Sequence, residues 1–135
     1  MTIKENLGQV GLYFVNGVAG NEGVPGAPIL KFSLLVNAVT GTITGQARQT
    51  QAVAAPYNDI HISNITGQVH AAGLGKFTKL VALQGSAVIS FPPPAIGSYL
   101  VPFNAHFAVD NEWDGVGGWS LGSHLVENVP VKAAK

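Results

Sequence analysis

The sequence predicts an all-β domain: an antiparallel meander of seven or eight strands, closing as a barrel in preference to stacking as a sandwich. Three observations predict it. Apolar residues recur with a period of two along several stretches, most clearly from Ile29 to Val53. Glycine, proline and asparagine clusters separate those stretches at turn-length intervals. No window of useful length carries the 3.6-residue period of an amphipathic helix, so no crossover helices are expected. At 135 residues the chain reads as a single domain over 1–135. A chain of that size buries about two-thirds of its unfolded surface without staples.

The stretch from Ile29 to Val53 reads as one long hairpin. Its first arm alternates Phe32, Leu34 and Val36 against Lys31, Ser33 and Asn37. Its second arm sets Thr42, Thr44, Gln46, Arg48 and Thr50 on one face and Ile43, Gly45 and Ala47 on the other. Between them, Asn37 and Gly41 bracket a short loop with the residues that turn chemistry favours.

The other elements follow in order. Gly11 to Val15 is a short apolar strand, and Asn16 to Pro28, rich in glycine, is a long loop. After Ala54-Ala-Pro56 a strand runs from Asp59 to Ala71. Its apolar residues switch from even positions (Ile60, Ile62) to odd ones (Ile65, Val69). A pleat cannot change faces unaided, so a β-bulge is expected near Ser63-Asn64. Gly73-Leu-Gly75 turns the chain into Phe77 to Ser90, with a break at Gln84-Gly85. Phe91 to Gly97 is a stiff, proline-rich loop. Tyr99 to Asp110 alternates again, and Trp119 to Leu121 and Leu125 to Val131 end the series. Pro130 has no N–H for a ladder, which places the last strand at an edge or ends it there.

Composition narrows the functions. Seven basic and seven acidic residues make 10% charged, where ordinary domains carry about 25%. With net charge zero and no basic stripe, neither nucleic acid nor an anionic membrane is an expected partner. There is no cysteine, so disulfides and thiolate metal sites are excluded. The first residues carry no apolar signal region and no apolar run reaches the ~20 residues of a membrane helix, so a cytoplasmic location is expected. Leu34-Leu-Val36, Leu80-Val-Ala-Leu83 and Ala87-Val-Ile89 are apolar on both strand faces. A second copy of the chain is the simplest cover for the outer one, so a homo-oligomer is expected.

Few residues form a constellation with chemistry. Asp110, Glu112 and Asp114, followed by Gly115, resemble the start of a calcium loop. The twelfth position is Leu121 rather than a bidentate Glu, which favours a plain acidic turn. His61, His70, His106 and His124 show no metal-ligand spacing. Nothing frames a Ser-His-Asp triad, and no acid/base pair stands out. Nor does any motif call for a cofactor. Gly115-Val-Gly-Gly118 lacks the lysine and helix of a phosphate cradle. Trp113 and Trp119 flank it and offer an aromatic platform for a sugar ring or an apolar ligand, with core packing as their simpler use.

Several short blocks also carry a resemblance: Pro25-Gly-Ala-Pro28, Thr50-Gln-Ala-Val53, Asp59-Ile-His61, Phe103-Asn-Ala-His106 with the turn at Trp113, and Glu127-Asn-Val-Pro-Val-Lys132. In this order they resemble a bacterial domain-of-unknown-function family of small cytoplasmic β-proteins. That resemblance implies no activity and no catalytic residues. Val39-Thr-Gly-Thr-Ile-Thr-Gly45 also looks like the second hairpin of the avidin barrel. The biotin-site tryptophans have no counterpart in the matching later strands, so this second likeness implies architecture alone.

The expected function is that of a non-catalytic, homo-oligomeric β-barrel binding a neutral small molecule or sugar. Its candidate ligand residues are Asn104, His106, Trp113, Trp119 and Tyr57. Two alternatives stand beside it: a structural, self-assembling protein without a ligand, and an isomerase or cyclase working in a barrel lumen.

Overall fold

The computed structural model describes residues 11–54, 57–91 and 93–134. Eight antiparallel strands form one closed barrel: β1 (Leu12–Gly20), β2 (Ile29–Asn37), β3 (Thr42–Thr50), β4 (Asp59–Leu74), β5 (Phe77–Ser90), β6 (Ser98–Val109), β7 (Gly115–Leu121) and β8 (His124–Ala133). Each strand pairs with the next in sequence. The sheet closes where Gly17–Ala19 of β1 meet Val131–Ala133 of β8. There is no helix among the described residues.

The hairpin from Ile29 onward folds as its alternation requires. Ile29 pairs with Thr50 and Asn37 with Thr42 in an unbroken register. Asn37 makes the turn: its Oδ1 accepts from the backbone N–H of Val39 (3.0 Å) and Thr40 (3.2 Å). Phe32, Leu34, Val36, Ile43 and Ala47 point into the barrel. Thr44, Gln46 and Arg48 point outward. Fully burying a Leu, Ile or Phe side chain contributes about 1.5–3 kcal/mol, so the lumen is the main source of stability.

The bulge in β4 is present. Ala47 pairs with Ile62 but Gly45 with Ile65, so β4 spends one residue more than β3 across that span. The extra residue lies at Ser63-Asn64, and Asn64 adopts φ +55°. The bulge lets Ile60 and Ile62 before it, and Ile65 after it, all face inward.

Several boundaries differ from the sequence reading. β1 does not stop at Val15 but runs to Gly20, so the loop is only 21–28. Gly17 is a strand residue, paired with Phe32 of β2 and Ala133 of β8, and it is glycine because a Cβ there would sit 2.4 Å from Phe32 Cζ. β5 is unbroken at Gly85, which pairs with Phe103. That glycine leaves room for the bulged β4, with Ile65 only 3.1 Å from where its Cβ would be. β7 begins at Gly115, so the glycine run is strand rather than loop. Finally, β8 is not an edge, because the barrel closes past it. Pro130 is accommodated because the pairing of β8 with β1 starts only at Val131.

The inner face is apolar and most of the outer wall is polar. That is the reverse of the alternation carried by lipid-spanning barrels. No helix among the described residues is long and apolar enough to cross a membrane. Leu12, Phe14, Leu80, Val88, Leu100 and Val116 are apolar exceptions exposed on the outer wall.

Candidate functional site

The two ends of the barrel are built differently. At one end lie the loops 38–41, 75–76 and 110–114, and this end is plugged. Asp110 organises the turn: its Oδ1 accepts from the backbone N–H of Glu112 (2.8 Å) and Asp114 (3.1 Å). Trp113 takes φ +66° and is fully buried, and its Nε1 donates to the Tyr13 hydroxyl at 3.3 Å. Asp114 Oδ1 accepts from the backbone N–H of Ala133 at 3.1 Å, tying the turn to β8. The acidic turn thus uses its carboxylates to seat a tryptophan. Among the described residues no three His, Cys, Asp or Glu side chains are grouped to hold a metal ion.

Above the plug the walls meet across the lumen. Phe32 of β2 and Phe107 of β6, from opposite sides of the barrel, stand with ring centroids 5.4 Å apart. One inward step further, Trp119 of β7 donates from Nε1 to Gln49 Oε1 of β3 at 2.6 Å. Strands β3 and β7 are four apart in an eight-strand ring, so this bond also spans the lumen. Both side chains are buried.

Beyond this tie the lumen opens into a cavity of about 390 Å³ at the mouth, the end carrying loop residues 21–28, 51–54, 57–58, 93–97 and 122–123. Its apolar wall includes Ile60, Ile89, Val101, Leu121 and Val126, and Gln49 lies at its base. At the rim, Tyr57 from the β3–β4 loop reaches Tyr99 of β6, and their hydroxyls share a hydrogen bond of 2.7 Å. This bond raises the Tyr99 pKa, with burial adding to it. His124, at the start of β8, stands with its ring centroid 6.3 Å from that of Tyr57. No Asp, Glu, Lys or Arg is among the described residues lining the cavity.

The five residues expected to bind a ligand do not converge. Tyr57 is on the rim and lines the cavity. Trp119 lies beneath it, touching it through Gln49. Trp113 is in the plug at the far end. Asn104 and His106 are exposed on the outer wall, because β6 turns Phe103, Ala105 and Phe107 inward. Since both tryptophans are buried, neither offers a ring face as a sugar platform. Of the cavity residues outside that expected set, Gln49, Tyr99 and His124 carry polar groups at its base and rim. Gln49 had a signal, since it continues the inward series Ile43, Gly45, Ala47 and is the polar residue of that series. Tyr99 and His124 had none, because only the closed barrel brings the start of β6 and the start of β8 to one rim.

A family model described as "Domain of unknown function (DUF1842)" matches residues 10–124, which take in β1 to β7 and the first residue of β8. The chain belongs to this family. No curated protein matches it.

Proposed function

For this member of a family without an assigned activity, we propose a binding role: the barrel holds an uncharged, largely apolar small molecule in the mouth cavity and performs no chemistry on it. The observation that carries this reading is the cavity of about 390 Å³ over one sealed lumen, with no Asp, Glu, Lys or Arg among its described lining. Pockets of roughly 300–1,000 Å³ with apolar walls and a few placed polar groups are typical small-molecule sites. Burying a charge here would be costly without a partner, so a neutral ligand is favoured. A sugar's hydroxyls could meet Gln51, Tyr57, Tyr99, Ser123 and His124, but its ring would face the aliphatic wall of Ile60, Ile89, Val101 and Val126 without an aromatic platform. A catalytic role has less support: the lining offers Ser123, His124 and two tyrosines but no carboxylate to work beside them.

The test is a thermal-shift screen with neutral metabolites, repeated on Val101→Trp, which fills the cavity. A ligand at 100 times its Kd stabilises the fold by about 2.7 kcal/mol, a rise of several degrees in Tm. A hit lost in Val101→Trp supports the reading. A screen without hits, or hits indifferent to that substitution, counts against it.

Self-association is the second part of the proposal. Leu12, Phe14 and Leu35 together present an apolar patch on the outer wall of β1 and β2, which supports contact with another copy.

A further inference from the structure

The base of the mouth cavity is a side-chain amide fixed in one orientation. Trp119 Nε1 is a donor only, so the Gln49 atom that it reaches at 2.6 Å must be the carbonyl oxygen. That settles which way the carboxamide points, a choice otherwise open to a flip. Gln49 Nε2 is left on the other side. Among the described residues no hydrogen bond pairs with it, and no buried side-chain nitrogen or oxygen is unsatisfied. The amide nitrogen is therefore open to the cavity that Gln49 lines. It presents N–H donors there and no acceptor.

Resting on the binding role proposed above, we infer that the ligand is an uncharged carbonyl compound, such as a ketone, ester, lactone or amide. Its carbonyl oxygen is received by Gln49 Nε2 at the base, and its apolar body lies along Ile60, Ile89, Val101 and Val126. A carboxylate would find the same donor but no Lys or Arg among the described lining residues to offset its desolvation. A pure hydrocarbon would leave the amide N–H groups without a partner once water is displaced. An uncharged acceptor at the deep end satisfies both conditions, and a carbonyl oxygen does so without bringing a donor of its own that would need a partner.

Butyrophenone and butylbenzene test this, being alike in size and differing in one carbonyl. Calorimetric titration of each into the wild-type protein gives a ratio of affinities, which cancels their different hydrophobicity when compared with the same ratio in a variant. The double variant Gln49→Met/Trp119→Phe removes the donor while leaving no orphaned indole N–H, so it tests the inference should Gln49→Leu alone fold poorly. The ketone-to-hydrocarbon ratio is expected to fall about tenfold in the variant, the loss of one hydrogen bond. If both compounds bind and the ratio does not move, the carbonyl inference is overturned while the cavity remains a binding site. If neither binds the wild-type protein while the metabolite screen gives hits lost in Val101→Trp, the carbonyl inference is overturned and the binding role stands; if that screen fails too, both fall.

Discussion

Two tyrosines hold hydrogen bonds that matter for the ends of the barrel. Tyr13 accepts from Trp113 in the plug, and burial raises its pKa against a smaller opposing effect of that bond. Tyr99 is raised chiefly by its bond with Tyr57. Both folded values stand above the unfolded one, about 10. Their contribution to stability is therefore fully present below pH 10 and is lost as pH rises through the folded values. Urea denaturation at pH 7 and pH 10.5 is expected to show that alkaline loss. In Tyr13→Phe it becomes smaller, while stability at pH 7 drops by about 1–3 kcal/mol because the buried Trp113 N–H loses its acceptor. An unchanged alkaline slope in that variant would remove Tyr13 from the explanation. Gln49 teaches a different lesson at this scale. Its inward phase was written in the alternation of β3, yet a polar residue on a core face does not announce its partner, and Trp119 is 70 residues away.

Among the elements, β4 is the one whose bend was readable in advance. The switch from Ile60 and Ile62 to Ile65 and Val69 required an extra residue, and the structure places it at Ser63-Asn64. Asn64 suits the site because asparagine tolerates positive φ, which a β-branched side chain does not. Asn64→Gly is expected to leave stability nearly unchanged, and Asn64→Val to lower it by about 1–3 kcal/mol, measured by urea denaturation. Equal stability of the two variants would show that the strand can re-register without strain. Strand β1 shows why a similar reading failed nearby. Gly17 and Gly20 looked like loop residues, but Gly17 is small because a Phe32 ring needs the space. A glycine that makes a turn and one that admits a neighbour look the same in a sequence.

For the molecule as a whole, low charge and an apolar patch point the same way. Leu12 and Phe14 are 61% and 73% exposed, and Leu35 lies opposite Phe14 across the β1–β2 ladder. Light scattering is expected to give a mass above that of one 14.0 kDa chain, and Phe14→Lys to shift it toward the monomer. As a surface change, that substitution should alter stability by no more than about 0.5 kcal/mol. A monomer at every concentration would end the self-association proposal.

By itself the sequence determined the class of fold, the strand faces, the hairpin turn at Asn37 and the β4 bulge. All of these follow from the period-two geometry of neighbouring residues and from local turn chemistry. Only the tertiary structure decided which walls meet inside: Phe32 with Phe107, Gln49 with Trp119, Tyr57 with Tyr99. Those partners depend on how far the strands tilt and stagger as the sheet closes, and that is a property of all eight strands together.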